Sequence, residues 1–240
     1  MRVIALTQKG PTKFENEDRI VVGRSVISDG ICIDEMGCGV IAVADGVGGN
    51  KAGAVASDFV SKRLLGATKV DAALFESINT ELIFESIARE GCNGMATTLS
   101  GVCIYGGKAS LFSIGNTRVY LLQGKRYLKQ LTSDDTTLNF LVSTGRLSPS
   151  DADTFERKNE ITTCFGGGNP SLFNIKLEKI EIPVAPILIT SDGIHDHLSV
   201  DEMEAVIEEQ GLTESACIEL ISAARKNGSL DDASVILANF

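Results

Sequence analysis

Short apolar segments with strand-like spacing dominate the first 47 residues of the chain. RVIAL, RIVVG and the almost continuously apolar GVIAVA are separated by polar or glycine-containing turns, which is the pattern of β-strands. Apolar residues then recur at helical spacing in two stretches, 52–65 and 72–88, which predict a pair of helices. In the second stretch the recurring apolar residues are Leu74, Ile78, Leu82, Phe84 and Ile87.

The alternating pattern returns between residues 96 and 131, where LSGVCIY, KASLFSIG, TRVYLLQ and RYLKQL predict consecutive antiparallel strands. The polar segment 133–160 predicts a flap-like surface excursion that could border an active site. NIKLEKIEI, PILITSD and ASVILANF then have strand patterns, and 200–209 and 214–224 are amphipathic. Because strands come in runs and helices in pairs, we predict an α+β fold in which helices cover antiparallel sheets, formed by a single domain over 1–240.

Composition narrows the classes of function. The 240 residues are 43% hydrophobic, enough for a sizeable core, and the formal net charge is −10. Such an acidic chain lacks the positive electrostatic potential that attracts nucleic acid or anionic membranes, whereas metal cations are suitable ligands. We see no signal peptide and no apolar run near the roughly 20 residues of a membrane span. We therefore expect a cytoplasmic protein with no nucleic-acid or membrane partner.

The six cysteines are scattered and form no C-x-x-C pair. Several lie among apolar residues, as in GVCIY and SACIEL. We therefore predict buried thiols in a reducing compartment rather than disulfides or zinc ligands.

Acidic residues lie at the ends of several apolar segments. Asp45 follows GVIAVA, Asp192 follows ILITS, and Asp231 shortly precedes ASVILA, while Glu17 and Asp18 precede RIVVG. Strand ends are rigid, so such carboxylates can be aimed at one point. A single Asp-Gly dipeptide is more often a turn, but several acids at strand ends favour a site for Mg²⁺ or Mn²⁺, which prefer oxygen ligands.

The order of these motifs resembles a known family. The matching segments are ENED at 15–18, VADGVGGNKAG at 43–53, GNTR at 115–118, LTSDDT at 131–136, ITSDGIHDHL at 189–198 and SLDDASVIL at 229–237. With these segments the chain is similar to the PP2C-type (PPM family) protein phosphatases of bacterial type over nearly its whole length. This resemblance implies a four-layer α-β-β-α sandwich with two central antiparallel β-sheets, and a centre of two Mg²⁺ or Mn²⁺ ions that hydrolyses phosphoserine and phosphothreonine in proteins.

The resemblance also implies roles for individual residues. Asp45 would bridge both metal ions. Glu17 and the Gly46 carbonyl would serve one ion, and Asp192 and Asp231 the other. The implied reaction is in-line attack of a metal-bridging hydroxide on phosphorus, without a phosphoenzyme.

Several positions differ from the family pattern or have a supporting role in it. Asp18 would hold metal-bound water without binding a metal ion itself. Lys13 occupies the place of the family's phosphate-gripping arginine; we expect it to bind phosphate as a point charge, and a solvated surface lysine is the alternative. Asn116 replaces an aspartate associated with a third metal ion, so that site is doubtful. Val47 lies where some relatives have a histidine.

Four further positions have less specific expectations. Asp134 and Asp135 are expected to cap a helix that begins near Thr136. His195 and His197 are more consistent with a helix start than with zinc ligands, because two residues cannot complete a zinc site.

Three functions are compatible with these residues. The leading hypothesis is a phosphatase of phosphoproteins, acting as a monomer on substrates of a Ser/Thr kinase. One alternative is a phosphatase-like binding module with weakened catalysis, although buried carboxylates without cations are costly. The other is a phosphatase of small phosphorylated metabolites.

Overall fold

The computed structural model describes residues 1–47, 52–124, 126–181 and 185–240. Residues 48–51 of the VADGVGGNKAG motif, with its second and third glycines, lie outside the described residues. The described strands are β1 (Arg2–Gln8), β2 (Arg19–Val22), β3 (Ser25–Ile27), β4 (Gly30–Glu35), β5 (Gly39–Ala44), β6 (Gly46–Val47), β7 (Ala96–Thr97), β8 (Leu99–Tyr105), β9 (Lys108–Ile114), β10 (Arg118–Gln123), β11 (Tyr127–Gln130), β12 (Phe165–Gly166), β13 (Lys176–Ile180), β14 (Ile187–Thr190) and β15 (Ala233–Asn239). The described helices are α1 (Ala52–Arg63), α2 (Ala72–Ala88), α3 (Thr137–Ser143), α4 (Asp192–His195), α5 (Val200–Gln210) and α6 (Glu214–Lys226).

Two six-stranded antiparallel sheets form the centre of the fold. The first has the order β11-β10-β14-β15-β1-β4, and the second has the order β13-β9-β8-β5-β2-β3. A small third sheet, β12-β7-β6, lies beside the second. The N- and C-terminal strands β1 and β15 pair over their full length, from Arg2 with Asn239 to Gln8 with Ala233. The ends of the described chain are therefore joined in the middle of one sheet.

Three apolar layers hold the sheets and helices together. Side chains of α5 and α6 pack on the outer face of the first sheet, where Leu220 and Leu237 are buried in one apolar cluster. Side chains of α1 and α2 pack on the outer face of the second sheet, where Val60 and Phe75 are buried. The third layer lies between the sheets. The predicted four-layer α-β-β-α sandwich is confirmed.

Strand β5 shows why GVIAVA is almost continuously apolar. Val40 and Ala42 face the layer under α1 and α2, while Ile41 and Val43 face the layer between the sheets. A central strand that is covered on both faces has no side exposed to water, so alternation with polar residues disappears.

Helix α2 has the predicted bounds but a different buried face. Asp71 caps it by accepting a hydrogen bond from the Leu74 N–H at 3.0 Å. Ile78 and Leu82 are buried, together with Phe75. The expectation that Phe84 and Ile87 share this apolar stripe is wrong, since they are 68% and 72% exposed. They belong to the opposite side of the helix, which no described element covers.

The segment 133–160 contains α3 and a 3₁₀ turn over Pro149–Thr154. Arg118 of β10 forms an ion pair with Asp134 at 2.6 Å, and Lys176 of β13 pairs with Asp135. The expectation that these aspartates cap the following helix is wrong. Thr136 is the N-cap, because its side chain accepts from the Asn139 N–H. The two aspartates instead attach the segment to strands of both sheets.

The cysteines are free thiols, as predicted from their spacing. Cys92, Cys103, Cys164 and Cys217 are buried, whereas Cys38 is exposed and so departs from the expected burial. Within the described ranges we find no helix with the length and apolar character needed to span a bilayer.

Candidate active site

Antiparallel pairing brings the predicted acids together from four strands. In the second sheet Arg19 of β2 pairs with Ala44 of β5, so the adjoining Asp18 and Asp45 lie at the same edge. In the first sheet Thr190 of β14 pairs with Val235 of β15. Asp192 therefore emerges from β14 beside the segment that leads into β15, which contains Asp231. The two pairs of strand ends face each other across the layer between the sheets.

The Asp45 and Asp192 carboxyl groups are direct neighbours. Burial raises the pKa of Asp45 well above its ordinary value, and the charges of Asp192, Asp18 and Asp231 raise it further. Burial also raises the pKa of Asp192, with a contribution from Asp231. The two carboxyl groups lie within hydrogen-bonding reach of each other. Such mutual repulsion in a buried place is what bound cations would relieve.

Asp18 lies behind this pair and is held by hydroxyl groups. The Ser191 hydroxyl donates to Asp18 Oδ2 at 2.8 Å, and Ser191 in turn accepts from the Ser234 N–H at 2.9 Å. Burial raises the pKa of Asp18 to about 7, opposed by hydrogen bonds from Ser234 and Ser191. Its other oxygen, Oδ1, is buried without a hydrogen-bond partner among the described residues.

Glu17 and the Gly46 carbonyl converge beside the first turn of α1. A Cβ atom added to Gly53 would lie 2.6 Å from Glu17 Oε1 and 3.0 Å from the Gly46 oxygen. A side chain at Gly53 would therefore fill the space toward which both oxygens point. Glu17 Oε1 is buried and has no hydrogen-bond partner in the described structure. The Ser57 hydroxyl donates to the Glu17 backbone oxygen and ties α1 to this loop.

Lys13 lies between two of the predicted metal ligands. Its Nζ is 3.1 Å from Glu17 Oε2 and 2.8 Å from Asp231 Oδ1, and its side chain is 31% exposed. Burial lowers the Lys13 pKa, but the hydrogen bonds and charges of Asp231 and Glu17 outweigh that effect and raise it. Lys13 is therefore a partly exposed, ion-paired lysine beside the predicted ligands, and its phosphate-binding role stays a prediction.

Asn116 and His195 adjoin the Asp192 side of the site. Asn116 Nδ2 donates to Asp192 Oδ2 at 3.1 Å. His195 Nδ1 is 2.8 Å from the Thr190 hydroxyl, and burial lowers the pKa of the imidazole well below its ordinary value. His195 is thus a neutral, buried residue of the short helix α4, in agreement with its interpretation as part of a helix start.

Sequence reasoning missed two groups of residues that support the site. Asp232, which is buried, accepts from the Gly10 and Glu17 N–H groups, both at 2.7 Å. The Thr97 hydroxyl donates to the Asp45 carbonyl at 2.8 Å, and the Thr98 hydroxyl accepts from the Asp45 N–H at 3.1 Å. The doubled acid in SLDD was a visible signal for Asp232, whereas nothing in the local sequence distinguishes the two threonines.

The oxygens fit divalent ions that keep part of their hydration. Within the described ranges, no group of three or more His, Cys, Asp or Glu side chains is arranged so that it could hold a metal ion without rearrangement. The acids form two pairs instead, Asp45 with Asp192 and Glu17 with Asp231, the second pair bridged by Lys13. Mg²⁺ usually binds through one or two carboxylates and retains several waters, so paired acids with a backbone carbonyl suit it. The unpartnered Glu17 Oε1 is the clearest available ligand.

Comparison with known proteins gives a consistent result. The family model described as Protein phosphatase 2C matches residues 27–226. The chain is 28% identical over 248 residues to the serine/threonine phosphatase Stp of Listeria monocytogenes, covering 96% of this chain and 92% of that protein. It superposes on the Mycobacterium tuberculosis serine/threonine phosphatase PstP/Ppp with a TM-score of 0.84 at 25% identity, covering 100% and 99% of the two chains.

A second PstP structure contains metal. The catalytic domain of serine threonine protein phosphatase PstP in complex with two manganese ions superposes with a TM-score of 0.75 at 26% identity, covering 100% of this chain and 99% of that one. The fold and the clustered acids define a metal-dependent phosphatase of the α-β-β-α class. The chain belongs to the protein phosphatase 2C family and is a serine/threonine protein phosphatase of the bacterial PPM type.

Proposed function

We propose that this enzyme hydrolyses phosphoserine and phosphothreonine in proteins with two divalent ions held by Glu17, Asp45, the Gly46 carbonyl, Asp192 and Asp231. The observation that supports these ligands most directly is the meeting of four strand ends, which brings five acidic side chains into one region. Glu17 and Asp18 are buried there, and burial raises the pKa of Asp45. Burial of several like charges is unfavourable unless cations neutralise them. When bound, the ions would activate a water and neutralise charge on the phosphoryl oxygens.

The protein's own groups have separate tasks in this proposal. Asp45 directly follows β5 and would be a ligand of both ions. Asp18 accepts a hydrogen bond from the Ser191 hydroxyl, which fixes its orientation. It would orient water at the ions without binding an ion itself. Lys13, on the rim beside Asp231, is positioned to attract the phosphoryl group once cations have taken over its carboxylate partners.

Asn116 supports a centre of two ions rather than three. Its amide donates to Asp192 and carries no charge, so a third ion at this side would have one anionic ligand fewer. We propose that third-site occupancy is weak or absent. Mg²⁺ and Mn²⁺ share the same oxygen ligands, so either can serve the main pair.

Several finer features belong to the same proposal. We place the enzyme in the cytoplasm as a monomer that reverses the action of a Ser/Thr kinase. The free thiols, including exposed Cys38, support a reducing compartment. Residues 1–240 would act as one domain, with 133–160 as a flap beside Asn116 and Asp192.

A phosphopeptide assay with and without chelator tests the function. We expect phosphate release that requires Mn²⁺ or Mg²⁺ and falls by more than about 100-fold in Asp45→Asn, because the bridging charge is lost. Asp34→Asn, which removes an exposed carboxylate on the edge strand β4, is the matched control and should retain activity.

The rival functions give different results in the same assay. A binding module would show no metal-dependent turnover of p-nitrophenyl phosphate. A metabolite phosphatase would hydrolyse small phosphate esters but leave phosphopeptides intact. Activity that persists in Asp45→Asn would remove Asp45 from the metal centre.

A further inference from the structure

A groove beside helix α1 concentrates positive charge on an otherwise acidic protein. Its cavity of about 360 Å³ is lined by α1 side chains and by residues of the loop before β2 and the end of α2. We call it the cationic groove; its charged lining residues are the basic Arg19, Lys62, Arg63 and Arg89 and the acidic Glu15 and Asp58, and Phe59 also lines it. The chain has 22 Lys and Arg residues against 32 Asp and Glu residues. Four basic residues against two acidic ones give this lining a formal charge of +2, opposite in sign to the molecule as a whole.

Three of these cations are accessible to a ligand. Lys62 is 62% exposed and pairs with Asp58 at 2.6 Å. Arg63 is 49% exposed, pairs with Glu81 at 2.7 Å, and has its guanidinium carbon 4.7 Å from the Phe59 ring centre, which helps to orient it. Arg89 is exposed and forms no ion pair with a residue of the described ranges.

The fourth cation has a structural role. Arg19 is largely buried, and its NH1 donates to the Asn16 and Asp18 carbonyls at 2.7 and 2.8 Å. Its Nε is 3.6 Å from Asp58. Arg19 therefore forms the floor of the cationic groove and connects it to the loop that presents Glu17.

The cationic groove begins directly beside the candidate metal centre. Gly53, which contacts Glu17 and the Gly46 carbonyl, is followed in α1 by groove-lining Ala54 and Val55. Lys62 lies about 14 Å further along the helix axis, given the rise of about 1.5 Å per residue. An extended peptide spans that distance with about four residues, at roughly 3.3–3.6 Å each.

We propose that the cationic groove binds an acidic segment of the phosphoprotein substrate, about four or five residues from the phosphorylated side chain. This inference rests on the proposed function and adds a substrate class to it. Complementary charge on a surface next to the reaction centre raises encounter rates and selects among substrates. The rest of the surface, with its excess of carboxylates, repels the same segment.

The test compares two phosphopeptides that differ only at positions four and five on either side of the phosphoserine. One has Glu at these positions and the other has Gln. The wild-type enzyme should show a KM for the acidic peptide about three- to ten-fold below that for the neutral one. In the double variant Lys62→Gln/Arg89→Gln this preference should disappear while kcat and turnover of p-nitrophenyl phosphate stay unchanged.

A charge-matched control separates local from global effects. Lys108→Gln/Lys129→Gln removes two exposed cations from β9 and β11, outside the cationic groove. It should retain the preference for the acidic peptide. Equal KM values for both peptides in the wild type, or the same loss of preference in the control variant, would overturn the proposal.

Direct binding distinguishes failure of the cationic groove from failure of the proposed function. Fluorescence anisotropy with the labelled acidic and neutral phosphopeptides measures Kd without turnover. Preferential binding of the acidic peptide, lost in Lys62→Gln/Arg89→Gln, supports the groove even if no phosphate is released. Normal hydrolysis of p-nitrophenyl phosphate with equal Kd values for the two peptides refutes the groove and leaves the phosphatase function intact.

Discussion

Removal of the Lys13 ammonium should strengthen metal binding. The Lys13 Nζ lies between Glu17 and Asp231, which we propose as ligands of different ions. Divalent ions must therefore compete with a cation that belongs to the protein. Lys13→Ala removes this competitor without altering any carboxylate, and Lys13→Arg retains the charge.

The size of the effect follows from the two ion pairs. Lys13 is 31% exposed and Asp231 is 49% exposed, so solvent screens the interaction and each pair is comparable to a good surface pair. At about 0.5–1 kcal/mol for each pair, the total is about 1–2 kcal/mol. We therefore expect Mn²⁺ to bind Lys13→Ala about 5- to 30-fold more tightly than the wild type. The metal-free variant should be less stable by about the same amount.

Isothermal titration calorimetry with Mn²⁺ on chelator-treated protein measures this change. Lys9→Ala is the control, because the Lys9 ammonium bonds to the Phe14 carbonyl and contacts no ligand. KM for a phosphopeptide should rise in Lys13→Ala if the ammonium also attracts phosphate. Lys13→Arg should bind Mn²⁺ like the wild type.

One result would refute the reasoning on Lys13. If Lys13→Ala bound Mn²⁺ with unchanged or lower affinity, the ammonium would not compete with the ions. Unchanged KM in both Lys13 variants would separately remove Lys13 from phosphate binding.

Three other predictions concern the surroundings of the metal centre. Asn116→Asp replaces the amide that donates to Asp192 with an anion and should add weak binding of a third ion in Mn²⁺ titrations; unchanged curves would contradict this. Asp232→Ala leaves the buried N–H groups of Gly10 and Glu17 without an acceptor. Urea unfolding should therefore show a free energy of unfolding about 2–4 kcal/mol lower than that of the wild type. The raised pKa of Asp18, about 7, means that its contribution to the stability of the metal-free protein is present below about pH 4 and lost as pH rises toward 7. The Tm of chelator-treated Asp18→Asn relative to wild type should therefore increase from pH 5 to pH 8, and a constant difference would exclude this assignment.

Secondary-structure elements such as α2 and β5, and the class of reaction, could be predicted from the sequence alone. Apolar spacing predicted helix α2 with its observed ends, and the continuous run GVIAVA predicted the buried strand β5. These features depend on the periodicity of apolar residues and on capping residues, all of them close in the chain, so they are visible in the sequence alone. The ordered acidic motifs pointed to the family, which the comparisons confirm.

The contacts between side chains that are distant in the sequence became known only from the folded structure. Asp45 and Asp192 are neighbours because β5 and β14 end at the same edge of two stacked sheets. Lys13 contacts Asp231 because the loop after β1 returns toward the start of β15, and buried Asp232 fixes that loop through backbone N–H groups. Such contacts depend on strand pairing and sheet packing over more than two hundred residues, so no local pattern specifies them. For the same reason Phe84, which fits a helical apolar stripe in the sequence, proved to lie on the side of α2 that faces away from the sheet.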